Sequence, residues 1–161
     1  AEMSFARNDY DDAILRLENL IEKYSRTRSS GMATILLARC YLAKDDYENA
    51  RVNFEKYIDD YKDDKFLTAG AYSGLAICAE QDSNFALAAE YFEKGGKISP
   101  HKFHKHELLL NSARNYLKVN NLEKAEEIVN IILNDEPESV NKNSAELLLA
   151  QITTRKGLAL K

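Results

Sequence analysis

From Gly31 to Asp64 apolar residues return every three or four positions, in two runs. Ile35, Leu37, Ala38, Tyr41 and Leu42 recur through the first run, and Ala50, Phe54 and Tyr57 through the second. That spacing gathers apolar side chains on one face of an α-helix. Lys44-Asp45-Asp46 interrupts it, so the stretch predicts a helical hairpin, 31–43 with 47–61. Similar readings give a helix tail at 1–7 with a partner at 10–24, whose Ala13, Leu15, Leu17, Leu20 and Ile21 are candidates for the core. A polar loop is expected at 25–30, then pairs at 65–81 with 85–94 and at 103–119 with 122–134, and a last helix at 143–156 that caps the stack. Gly95-Gly96 is expected to stop a helix, since glycine accepts the left-handed backbone of many helix ends. The carboxylates of Asp59, Asp60, Asp63 and Asp64 are unfavourable at a helix C-terminus. The helix gives out there, or Lys62 and Lys65 offset the charge, or Asp64 caps the next helix.

Four hinges share one grammar: Asn8-Asp9-Tyr10, Asp45-Asp46-Tyr47, Ser83-Asn84-Phe85 and Asn120-Asn121-Leu122. The Asp or Asn before each large apolar residue is a strong N-cap, because its oxygen accepts from free amides of the first turn. Three residues after each large apolar residue stands an alanine, and Ala13, Ala50, Ala88 and Ala125 are 37 or 38 residues apart. A fixed period in this range marks stacked supersecondary units. Other slots keep the register. Twelve residues before the alanines lie Ala1, Ala38, Ala76 and Ala113; nine before, Ser4, Tyr41, Ala79 and Tyr116; four after, Leu17, Phe54, Phe92 and Val129; twelve after, Ser25, Lys62, Pro100 and Pro137.

This pattern resembles the tetratricopeptide repeat: a large residue, Leu, a small residue, an aromatic, Ala, an aromatic, a small residue and Pro. The second copy supplies Thr34, Leu37, Ala38, Tyr41, Ala50, Phe54, Tyr57 and Lys62. The third has Tyr72, Leu75, Ala76, Ala79, Ala88, Phe92, Gly95 and Pro100, and the fourth Leu109, Ser112, Ala113, Tyr116, Ala125, Val129, Ile132 and Pro137. The resemblance implies an all-α fold, a right-handed α-solenoid of antiparallel hairpins. One domain spans 1–161, with repeats at about 1–30 (partial), 31–68, 69–105 and 106–142 and a final helix at 143–156. The period exceeds the family's 34 residues, so longer inter-repeat turns or second helices are expected. Tyr57 and Ile132 stand where the family has a small residue, which predicts an altered pitch. Ala1 already fills the small slot of a first helix, so the chain is expected to be a segment of a longer protein.

Composition narrows the function. The chain has 161 residues, 45% of them hydrophobic and 30% charged, as a soluble folded domain does. Its net charge of −4 argues against nucleic acid, whose phosphates favour a basic face. No apolar run reaches the roughly 20 residues that span a bilayer, so no direct membrane insertion is expected; cytoplasm and bacterial periplasm both remain open. Cys40 and Cys78 occupy the same slot of successive copies, and equivalent positions on packed helices are about 8–10 Å apart. That exceeds the ~7 Å between Cα atoms that a disulfide tolerates. His101, His104 and His106 lie close together with no cysteine nearby, and a structural zinc site usually wants four ligands; they read as a solvated helix start. The acidic run 59–64 lacks the calcium-loop pattern. There is no nucleophile elbow or phosphate loop. No catalytic residue, metal or cofactor is expected.

In the tetratricopeptide family the inner faces of the first helices hold peptides or helices of partner proteins. The resemblance places Met32, Ile35, Arg39 and Leu42 there from the second copy, and Ser73, Ile77 and Glu80 from the third. The fourth gives Glu107, Leu110, Arg114, Leu117 and Lys118, and the last helix Leu147, Gln151 and Arg155. Apolar residues beside four cations suit a ligand with apolar anchors and acidic character, since Arg can hold a carboxylate in a bidentate fork. The function implied is a non-enzymatic scaffold that binds a partner protein or peptide in this groove. The alternative is an assembly segment of a larger, membrane-anchored bacterial envelope protein, from a likeness to tetratricopeptide proteins that assist secretion or outer-membrane assembly.

Overall fold

The computed structural model describes residues 2–25, 27–62, 64–135 and 141–159, with side chains between 9 and 158 of those ranges. Ala1, the Ser4 side chain and Pro137, each given a repeat slot above, lie outside the described residues. Among the described residues eight helices follow in order: α1 (Glu2–Lys23), α2 (Arg28–Ala43), α3 (Tyr47–Asp60), α4 (Lys65–Gln81), α5 (Phe85–Ile98), α6 (Lys102–Lys118), α7 (Leu122–Asp135) and α8 (Lys142–Ala159). Each packs on its neighbour in the chain, and α2 also touches α4 as α6 touches α8. The pairs α2/α3, α4/α5 and α6/α7 therefore stack as a solenoid. The first helices α2, α4, α6 and α8 share one wall.

Three hinges are built alike. Asp45, Ser83 and Asn120 take positive φ of 59°, 59° and 57°. The next residue turns its N–H back to the ending helix: Asp46 to the Tyr41 carbonyl at 2.9 Å, Asn84 to Ala79 at 2.8 Å and Asn121 to Tyr116 at 2.9 Å. This bond pattern satisfies carbonyls that a helix end leaves bare. The same residue's side chain accepts from the new helix, from the amides of Asn49 at 3.1 Å, Leu87 at 3.3 Å and Lys124 at 3.2 Å. One Asp or Asn thus ends one helix and begins the next.

The fourth hinge does not open. Asn8-Asp9-Tyr10 lies inside α1, a single 22-residue helix. Residues 2–7 make less than two turns, and helices that short are marginal without a partner; a through-going helix keeps their hydrogen bonds. Leu15, a core candidate above, is 59% exposed, and Ile14 is buried in its place. The loop at 25–30 is also shorter than its polarity suggests. Thr27 caps α2 by accepting from the Ser30 amide, and buried Ser30 exchanges a 2.7 Å hydrogen bond with the Tyr61 hydroxyl. At the acidic run, α3 ends at Asp60 while Asp64 caps α4 by accepting from the amides of Phe66 and Leu67.

The slot alanines form the spine. Ala38, Ala76 and Ala113, and likewise Ala50, Ala88 and Ala125, are fully buried. Tyr57 and Ile132 are buried too, so the larger residues at the small slot are accommodated. Gly95-Gly96 does not stop α5, which continues to Ile98 ahead of Pro100. A Cβ on Gly95 would lie 3.0 Å from the Ala69 carbonyl of α4, and one on Gly96 2.8 Å from Leu109 of α6. These glycines serve close approach, letting α5 lie tight between its neighbours. The first helices are the longer members of their pairs: α2, α4 and α6 have 16, 17 and 17 residues, against 14 in each of α3, α5 and α7.

Candidate functional site

Two clefts open along the wall of first helices. The first lies between α2 and α4 and holds about 380 Å³. Ile35, Arg39 and Leu42 come from α2; Phe66, Leu67, Gly70, Ser73, Gly74 and Ile77 from α4; Phe54 closes it from α3 and His104 from α6. The second, about 320 Å³, lies between α6 and α8 and is lined by Arg114, Leu117, Lys118, Ser144, Leu147, Leu148, Gln151 and Arg155. Eleven of the fifteen groove residues named from the sequence line one cleft or the other. Leu110 does not: it is 3% exposed and belongs to the core of α5–α8. Glu107 and Glu80 are absent from both linings. Met32 lines a separate hollow at the helix ends, with Arg28, Tyr61 and Asp64.

Among the described residues neither cleft is lined by a carboxylate, although the whole chain is acidic. Arg114 bonds the Asn111 amide oxygen at 3.0 Å, and Arg155 the Leu117 backbone carbonyl at 2.9 Å. Both acceptors are neutral, and among the described residues neither guanidinium makes an ion pair. Lys118 differs. It meets Glu80 at 3.3 Å and lies over the Phe85 ring, 4.4 Å from its centroid. Glu80 also accepts from Asn115 at 2.8 Å, so its carboxylate is occupied. Among the described residues Arg39 has no salt bridge.

The sequence missed Phe66 and the two glycines of α4. Phe66 is 47% exposed and touches the rings of His101 and His104, at centroid distances of 5.5 and 5.3 Å. Nothing in the slot pattern flags it, since it falls in the first turn of α4. The solvated helix start expected of the histidines holds for His101, the exposed N-cap residue of α6, and not for the other two. His104 is half-buried with Nδ1 3.0 Å from the Ser99 hydroxyl. Burial pushes the His104 imidazole below its ordinary pKa, so it is neutral at pH 7. His106 is fully buried, with Nε2 3.0 Å from Asp135. Among the described residues no three His, Cys, Asp or Glu side chains converge as metal ligands. Cys40 and Cys78 are free thiols, and burial pushes both up, so they remain protonated.

Comparison with known proteins gives the fold and a family signature. The tetratricopeptide repeat profile matches residues 5–65. An uncharacterized protein, ycf37 of Guillardia theta, is 31% identical over 117 residues, covering 72% of this chain; the chain spans 64% of that protein's length. The crystal structure of BtubC (BKLC) from P. vanneervenii superposes with a TM-score of 0.69 at 17% identity, covering 97% of this chain and 67% of that one. No helix among the described residues is long and apolar enough to cross a membrane.

Proposed function

For a chain that is a helical repeat protein of the tetratricopeptide type, we propose a non-enzymatic scaffold that holds an acidic, apolar-bearing segment of a partner protein against the wall of first helices. One observation carries this reading: among the described residues two clefts on one wall are lined by cations and apolar groups with no carboxylate, in a chain of net charge −4. A charge pattern opposite to the rest of the surface favours acidic partners and disfavours the chain itself. The assembly-segment alternative rests on the sequence pattern alone.

The test is selection from a random phage-displayed peptide library on the purified chain and on Arg39→Glu/Arg114→Glu. Arg155 is left in place because it also bonds the C-terminal carbonyl of Leu117. Selected peptides are expected to combine Asp or Glu with apolar residues, and the double variant to lose them while keeping its helical circular dichroism. Peptides without acidic residues, or full retention by the variant, would overturn the reading.

A further inference from the structure

The two clefts differ in kind. The α6/α8 cleft is the more open and carries the guanidinium groups of Arg114 and Arg155, which make no ion pair among the described residues. The α2/α4 cleft is more enclosed and mostly apolar, walled by Ile35, Phe54, Phe66 and Ile77, with Arg39 at its side.

Gly70 makes the second difference sharper. It lies inside α4, and a Cβ built there would meet nothing within 4 Å. Packing therefore does not require a glycine, unlike at Gly74, where a Cβ would fall 2.2 Å from the Phe54 ring. Glycine in a helix interior costs about 1 kcal/mol relative to alanine. What its missing side chain leaves is the open floor of the cleft. A fold that forgoes that stability keeps room for a bulky group.

We infer that the clefts read two separate features of one extended peptide: a large apolar side chain, aromatic by preference, seated over Gly70, and a carboxylate held by Arg114 and Arg155. This rests on the groove reading above and adds a ruler to it. Neighbouring first helices lie about 8–10 Å apart, and the cleft centres are two such steps apart, roughly 16–20 Å. An extended chain advances about 3.3 Å per residue. The apolar anchor and the acid are thus about five or six residues apart. Charge complementarity selects the occupant, and Ser73, Gln151 and Ser144 supply neutral partners for the backbone between.

The experiment uses fluorescein-labelled synthetic peptides with one Trp and a Glu-Glu pair, separated by Gly-Ser spacers of one to eleven residues, read by anisotropy. Affinity is expected to peak near a separation of five or six. Gly70→Leu, which puts a branched side chain into the cleft from a position whose Cβ meets nothing within 4 Å, should weaken the best peptide roughly tenfold or more and cancel the effect of replacing its Trp by Ala. Arg114→Gln should cancel the effect of replacing Glu-Glu by Gln-Gln. Gly70→Ala should melt higher than wild type, which separates blocking from misfolding. Binding that ignores spacing, or survives Gly70→Leu, overturns the two-feature proposal while leaving the groove reading intact. No binding by any peptide overturns both. A dimer in sedimentation that Gly70→Leu dissociates would make a second copy the occupant and overturn it as well.

Discussion

Gly70, Gly74 and Gly96 are chemically identical residues inside helices, yet the structure gives them opposite substitution effects. At Gly70 an alanine enters open space and gains the helix propensity glycine lacks. At Gly74 it would strike the buried Phe54 ring, and at Gly96 the buried Leu109 side chain, with the Lys105 carbonyl 3.3 Å away. Overpacking a filled core costs about 1–3 kcal/mol, enough to outweigh propensity. Gly70→Ala is therefore expected to stabilise by up to about 1 kcal/mol, and Gly74→Ala and Gly96→Ala to destabilise by about 1–2 kcal/mol. Urea midpoints measured on the three variants check this; a shared sign would refute it. The contrast also marks where sequence reasoning runs out. A glycine pair before a proline reads equally as a helix stop or as a thin place for a neighbour. Only the distance to Ala69 and Leu109 decides. The buried His106 is similar: its alternation with Lys102 and Lys105 suggests solvent, while its place on α6 turns it onto α7.

At the scale of elements, the hinges were legible because one Asp or Asn does two chemical jobs, and few residue types can do either. Position alone does not make a hinge, as Asn8-Asp9 inside α1 shows. The turn needs two arms long enough to pack on each other. Elements are also held by side-chain clasps between neighbouring helices. The tyrosines of one slot form matching ones: Tyr41 donates to Glu18 at 2.9 Å and Tyr116 to Glu93 at 3.0 Å. The end of α7 is clasped to α6 by Asp135, which meets Lys105 at 2.7 Å and His106 at 3.0 Å. Lys105 first, then His106, hold its carboxyl down from 3.8 to about 2. A depressed carboxylate adds stability that is complete above its ordinary pKa and fades as pH falls through the folded value. Asp135→Asn should lower the urea midpoint at pH 7, and the gap to wild type should close between about pH 4 and 2. A gap that stays constant over that range would remove Asp135 from the clasp.

The whole molecule is a stack in which contact runs from each helix to the next, so its cooperativity depends on what joins its halves. One apolar cluster joins α2, α3 and α4 through Phe54, Tyr57 and Leu75; another joins α5 to α8 through Leu109, Ile128 and Ile152. Between them lies a small group, Ala69 and Ala76 of α4, Phe92 of α5 and Leu108 of α6, with Tyr91 against both it and the first cluster. Phe92 is the largest side chain in that junction and is 3% exposed. Stacked repeats unfold as units linked by nearest-neighbour interfaces, and a weak interface lets the units separate. Removing a buried Phe side chain costs about 3–5 kcal/mol, here concentrated on the interface. Phe92→Ala should therefore split the unfolding transition. In native-state hydrogen exchange the amides of α2–α4 and of α6–α8 would open with different free energies, whereas wild type opens its central helices together. A variant that only shifts one shared transition to lower urea would show that α5, pressed between α4 and α6 at Gly95 and Gly96, keeps the halves coupled without the ring.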